Sequence, residues 1–227
     1  MSGIRPAYRR GRYNTHMQQI ILASGSPRRK EILEKLGIEF EVVESGYDES
    51  KIKSDDPVEL VEELALQKAL EVGKKYDDAL VIGGDTVVYV AGEILGKPRD
   101  KKDAEIMLKK LFGTTHMVVT GVAVVNTLTG DSVVGHEEGF VRFRELTDTE
   151  FKQYLDSEIW RGFAGGYAIQ GAAAPYVSDQ TGSLSAIIGF PIMLVSDLLE
   201  QMGVGVEVSP EELEIEIKNE KIGIQGQ

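Results

Sequence analysis

Apolar and polar positions along this chain switch repeatedly between two periods. "QQIILAS" (18–24) is a short apolar run ending in small residues, the pattern of a buried strand. Ile32, Leu33 and Leu36 then fall on one helical face, with Ser26 placed to cap, Pro27 at the first helical position and Gly37 to end the helix. "IEFEVVES" (38–45) alternates with period two and predicts a strand. A polar, acidic loop, "GYDESKIKSDD", leads to Pro57, where a long helix begins and runs to about Tyr76. Its apolar stripe is Val61, Leu64, Ala65, Ala69 and Val72, and Lys68 falls within that stripe. "DALVIGGDTVVYVAGEIL" (78–95) predicts a buried strand, a break at the glycine pair, an aspartate, and a second strand turning at Ala91-Gly92.

"KDAEIMLKKLFG" predicts a helix, and "MVVTGVAVVN" and "SVVGHEEGFVRFREL", joined by "TLTGD", predict a hairpin. "TDTE" (147–150) is a capping box for a helix reaching Leu155. Residues 161–191 are dense in glycine, which marks either backbone close to a ligand or sharp turns at a sheet edge. A final helix, "IMLVSDLLEQMG", follows, and the tail beyond Gly205 alternates charge with Val and Ile, predicting an added edge strand or a frayed end. Helices alternating with strands around a central hairpin give an α/β class, a mixed sheet with flanking helices. Three segments are expected: 1–17, with four arginines and no apolar period, a disordered or non-native extension; 18–205, the folded domain; and 206–227, a C-terminal tail.

Composition narrows the partners. The 227 residues, 42% hydrophobic, suffice for a real core. A net charge of −12 opposes a broad grip on a nucleic-acid polymer, so any phosphate-bearing partner is small and met locally. No apolar run approaches the roughly 18 residues of a membrane span, and no secretory pattern opens the chain, so no membrane partner and a cytoplasmic setting are expected. The absence of cysteine excludes disulfides, thiolate zinc sites and cysteine nucleophiles.

Four cations and one carboxylate stand out. Arg28 and Arg29 occupy the first turn of a helix, where they oppose the dipole; either they meet an anion there together with the helix amides, or they pair with surface acids. Lys68 either extends along the rim of the core or points into a cleft. Asp85, after an apolar run and two glycines, is placed to hold Mg²⁺ or activate water, or is a turn aspartate. Lys97 sits on a short loop before Pro98 and decides nothing alone. There is no phosphate loop with a Gly-Lys-Ser/Thr ending and no GxGxxG after a strand. Val87 replaces the second aspartate of the haloacid-dehalogenase pattern, and His16, His116 and His136 have no ligand-like spacing. A polyphosphate with a divalent metal accounts for the cations and the carboxylate together.

"LASGSPRRKEIL", "GGDTVV", "GKPRD", "FGTTHMVVTGVAV", "AGGYAIQG" and "IIGFPI", in this order and spacing, resemble the Maf family, nucleoside triphosphate pyrophosphatases named for an effect on septum formation. The resemblance covers roughly residues 19–203. It implies an elongated, two-lobed α/β fold similar to that of inosine-triphosphate pyrophosphatases, often a homodimer, hydrolysing the α–β phosphoanhydride of a nucleoside triphosphate to the monophosphate and pyrophosphate with Mg²⁺ or Mn²⁺. Carried over by position, Ser24, Arg28, Arg29, Lys68 and Lys97 hold the triphosphate, Asp85 ligates metal or orients water, and Asp48 is an acidic metal-site candidate. The "DT" after the glycines and "AIQG" resemble the branch acting on dTTP and UTP, where the Gln170 amide can bond both a donor and an acceptor of a pyrimidine edge. Gly84 and Gly166 stand where alanine is usual and Phe112 where serine is common, departures expected to loosen the pocket. The other reading is a non-catalytic nucleotide-binding regulator of cell division, which would not need Asp85.

Overall fold

The structure is a computed structural model that describes residues 18–224. Its center is the strand β3, Ala79–Val90, whose side chains are almost all buried on both faces. β1 (Gln19–Leu22) runs parallel to it and to the two-residue β2 (Glu41–Val42), while β5 (Thr115–Asn126), β6 (Ser132–Phe143) and β7 (Val177–Gly182) continue the sheet antiparallel, in the order β2-β1-β3-β5-β6-β7. β4 (Glu93–Leu95) folds back on the end of β3. The helices are α1 (Pro27–Lys35), α2 (Pro57–Gly73), α3 (Lys101–Leu111), α4 (Asp148–Asp156), α5 (Leu184–Ile188), α6 (Ile192–Gln201) and α7 (Pro210–Ile224). The mixed α/β class expected from the sequence is the one observed.

Period two divides β3 between two layers. Leu80, Ile82, Val88 and Val90 face the larger core, built with Ile32 and Leu33 of α1, Leu108 and Leu111 of α3, Leu184 of α5 and Leu198 of α6. Ala79 and Val81 face Ala69 and Val72 of α2 on the other side, and Val87 meets Val61 there. α2 lies so close to the sheet that a β-carbon on Gly83 would come 2.1 Å from the Ala65 carbonyl oxygen. One on Gly121 would come 2.5 Å from that of Val61. These two glycines let a helix backbone rest on a strand backbone.

Several expected elements differ. The glycine pair does not break β3: Gly83, Gly84 and Asp85 pair with Ala123, Val122 and Gly121 in one uninterrupted ladder. The glycines serve the close approach of α2 and of Arg29, so Asp85 lies within a strand rather than after one. Of the predicted 38–45 strand only Glu41–Val42 is strand, opposite Ile21 and Leu22, and the Val43 amide donates to the Leu22 carbonyl (3.0 Å). α2 ends at Gly73 rather than near Tyr76. Ser26 precedes α1 but its side chain makes no cap bond. The hairpin of β5 and β6 and the Thr147/Glu150 capping box form as expected.

The described residues after 205 form neither an edge strand nor a frayed end. Ser209 accepts from the Glu212 amide, Pro210 opens α7, and Leu213 and Ile217, one turn apart, are buried in the main core, with Ile215 exposed between them. Alternation of Leu, Ile and Ile with glutamates imitates a strand, but the four-residue spacing of the outer pair carries the packing. The 1–17 segment lies outside the described residues.

Candidate active site

Along one side, β3 pairs with β1 as far as Ile82 and with β4 from Val88. Residues 83–87 between them have no strand partner on that side among the described residues. A cavity of about 650 Å³ opens at this gap, lined by Ser24 from the β1–α1 turn, Arg28 and Arg29 from the first turn of α1, Lys68 from α2, Asp85 from β3, Lys97 from the loop after β4, and Gln170 from the glycine-rich stretch. Seven of the eight residues singled out in the sequence therefore share one cleft.

Lys68 stands one turn beyond Ala65 on α2, and Asp85 is the next residue after Gly83 on the same face of β3. Docking Ala65 on Gly83 thus aligns the two, and the Lys68 ammonium lies 2.5 Å from Asp85 Oδ1. The same ammonium is 2.6 Å from Glu49 Oε1, on a short helical turn in the acidic loop. Lys68 is thus aimed into the cleft, not along the rim of the core. Burial raises the Glu49 carboxyl, but Lys68, with Lys97 and Arg29 beyond it, outweighs this and holds it below the ordinary glutamate value.

The two adjacent arginines are not equivalent. Arg29 is buried, and its Nε donates to the Gly189 carbonyl (2.9 Å), Nη1 to Ser24 Oγ (3.0 Å) and the Gly84 carbonyl (2.7 Å), and Nη2 to Thr86 Oγ1 (3.1 Å). Four of the five N–H groups of a guanidinium are thereby engaged by the protein. Because Thr120 donates to the Ala186 carbonyl (2.7 Å), Thr86 donates to Thr120 (2.9 Å), and one directed chain runs from Arg29 to α5. Burial pushes the Arg29 pKa down, opposed by the charges of Asp85 and Glu49. Arg28 has no acceptor among the described residues; its guanidinium lies over the ring of Phe163. Burial, and secondarily Arg29, lower its pKa to about 10, which leaves it charged at neutral pH. Ser24 Oγ accepts from the Ser26 amide (3.3 Å) and from Arg29, so its hydrogen is left to donate. The first-turn amides of α1 lack a side-chain cap and face the same opening.

The profile of the Maf-like protein family matches residues 19–202. This chain belongs to that family. A dTTP/UTP pyrophosphatase of Symbiobacterium thermophilum is 45% identical over 188 residues, covering 82% of this chain and 95% of that one. Proteins of the same name from Pelotomaculum thermopropionicum and Pyrococcus furiosus are 41% and 42% identical, covering 84% and 81% of this chain and 100% and 95% of theirs. A looser likeness, with TM-score 0.38 and 14% identity over 56% of this chain and 73% of the other, is to a HAM1 protein of Coxiella burnetii.

As a member of the Maf-like family the chain departs from the sequence-based expectations at two points. Asp48 is not among the cleft residues: it is exposed, and its carboxylate accepts from the Ser50 amide and hydroxyl at the start of the short turn. Glu49 is the acid that turn delivers to the cleft. In a loop with four acidic residues no periodicity distinguishes it; only the position of Lys68 does. The three departures from usual family residues do not loosen the cavity either. Gly84 faces the Arg29 guanidinium, which a β-carbon would approach to 3.2 Å. Gly166 adopts φ +78°, and Phe112 packs against Phe143, Phe151, Tyr154 and Tyr176; none of the three lines the cavity.

A divalent metal fits the acids present. Asp85 and Glu49 reach the cleft from separate elements and converge on one cation, the Lys68 ammonium. No group of three or more His, Cys, Asp or Glu side chains suited to a metal occurs among the described residues. Two carboxylates with the remaining positions left to waters and phosphates is how Mg²⁺ is commonly bound. No described helix is long and apolar enough to cross a membrane.

Proposed function

We propose that the cleft hydrolyses pyrimidine nucleoside triphosphates, dTTP and UTP foremost, to the monophosphate and pyrophosphate. The observation that carries this reading is the convergence of Asp85, Glu49 and Lys68 beside Arg28 and Lys97, neither of which has a hydrogen-bond acceptor among the described residues. A catalytic carboxylate pair and a polyphosphate cradle share one opening. The name borne by relatives that match over nearly their whole length supports the same substrate class.

Arg28, Lys97, the Ser24 hydroxyl and the first-turn amides of α1 bind the phosphate chain. Phosphoryl transfer asks mainly for such positioning and charge compensation. Lys68 fixes Asp85 by Oδ1, leaving Oδ2 to accept a hydrogen from the attacking water. The water oxygen bonds to the α-phosphorus, and the α–β bridging oxygen departs with pyrophosphate. The water's proton passes to the Asp85 carboxylate and on to solvent. Arg28 and Lys97 compensate the charge gathering on the leaving group. Asp85 and Glu49 would hold Mg²⁺ or Mn²⁺, which supplies Lewis-acid polarisation of the phosphates. Gln170, which also lines the cleft, reads the base with its amide. The homodimer is carried over from the family resemblance.

The test is steady-state turnover of UTP and dTTP by wild type and Asp85→Asn. The variant, nearly isosteric, is expected to lose about 10²–10³ in kcat with KM little changed. Unaltered kcat in a folded variant contradicts the assignment. A regulator that only binds nucleotide would show no turnover in either protein.

A further inference from the structure

Arg28 is half-buried in the cleft, without a hydrogen-bond acceptor among the described residues, and its Cζ lies 4.5 Å from the ring centroid of Phe163. Arg161 also lines the cavity, but Glu158 holds it in a two-pronged pair at 3.1 and 3.0 Å. Arg29 is engaged as described. Arg28 is therefore the cleft guanidinium whose donors remain available, and what fixes it in place is an aromatic face.

That arrangement has a physical use. An aromatic ring attracts a cation through its face, so stacking offsets part of the cost of removing water from one side of the guanidinium. The N–H groups lie in the guanidinium plane, so a stacked arginine keeps its whole donor edge for a phosphate, whereas pairing with a carboxylate would occupy that edge. The mount is anchored nearby: two residues after Phe163, the Gly165 amide donates to the Gly96 carbonyl (2.9 Å), and a β-carbon on Gly165 would come 3.0 Å from both Leu111 and Val88. Gly96 immediately precedes Lys97. The segment presenting Phe163 is thus tied to the base of the loop presenting Lys97, and it continues to Gln170.

We propose that Phe163 is a positioning residue: its ring holds Arg28 with the donor edge toward the phosphate chain of the substrate. It thereby links the phosphate site to the segment carrying Gln170. The identity of the anion rests on the pyrophosphatase reading above; the geometry of the mount does not.

Binding of inorganic triphosphate, which has no base, isolates this role from stacking on a nucleobase. By titration calorimetry, Phe163→Leu is expected to weaken its binding ~3- to 30-fold. Phe163→Tyr is expected to stay within about twofold, and the Leu effect to vanish in an Arg28→Met background. Should Phe163→Leu fail to fold by thermal melting, Phe163→Met takes its place in the same cycle. Wild-type affinity in the folded Leu or Met variant, an equal loss with Arg28 already removed, or weakened UTP binding with inorganic triphosphate unaffected each overturn the proposal. Wild-type binding of inorganic triphosphate without turnover of any nucleotide contradicts the pyrophosphatase reading while the cycle still supports the mount. No binding by wild type contradicts both.

Discussion

Two arginines adjacent in sequence part ways once folded, and the consequences of mutating them part likewise. Arg29 is a strut joining α1, the backbone of β3 and the turn after α5, so Arg29→Lys, which cannot reproduce the fork, is expected to destabilise by about 2–4 kcal/mol. Arg28→Lys is expected to leave stability within about 0.5 kcal/mol and raise KM for the triphosphate. Urea unfolding of both variants checks the first pair of outcomes; equal destabilisation would contradict the division of roles. His116 offers a second residue-level test. It is buried, with Nε2 2.6 Å from the Tyr167 hydroxyl, and burial lowers its pKa from 6.5 to about 4. Between those values the unfolded chain binds a proton that the folded one does not. Its contribution is therefore whole above pH 6.5 and lost as pH falls toward 4. Unfolding free energies measured across that range should lose up to about 1.4 kcal/mol per pH unit of slope in His116→Phe; an unchanged slope would contradict the burial argument. The sequence displayed the anomaly of two cations opposing a helix dipole, but not which guanidinium the protein engages. That depends on carbonyls at 84 and 189, distant in sequence.

Among the elements, the close approach of α2 to β3 sets the register that brings Lys68 to Asp85. The apolar stripe of α2 was legible because period 3.6 over four turns is a strong signal. The glycine pair was not, since glycine at a break and glycine at a close contact look alike in sequence. α7 shows the opposite difficulty: its glutamates and isoleucines imitate period two over a few residues. Leu213 is 2% exposed, so Leu213→Ala is expected to cost about 2–4 kcal/mol, although it lies beyond the 19–202 family match. Thermal or urea unfolding measures this, and a loss below about 0.5 kcal/mol would mean that the helix does not contribute to the core.

Across the whole molecule, a chain of net charge −12 gathers Arg28, Arg29, Lys68 and Lys97 around a gap in the pairing of its central strand. The gap follows from strand lengths: β1 stops at Leu22 opposite Ile82, the antiparallel β4 stops at Leu95 opposite Val88, and the middle of the twelve-residue β3 lies between them. The α/β class and the seven singled-out residues that line the cleft were legible from motifs, charge and the family resemblance. Glu49 was not, because its meaning comes from a partner on another helix. The central claim is that this cleft cleaves the α–β anhydride, and ³¹P NMR of UTP turnover with Mg²⁺ tests it directly. UMP and inorganic pyrophosphate should appear in equal amounts, with no orthophosphate at early times. Release of orthophosphate with UDP would contradict it.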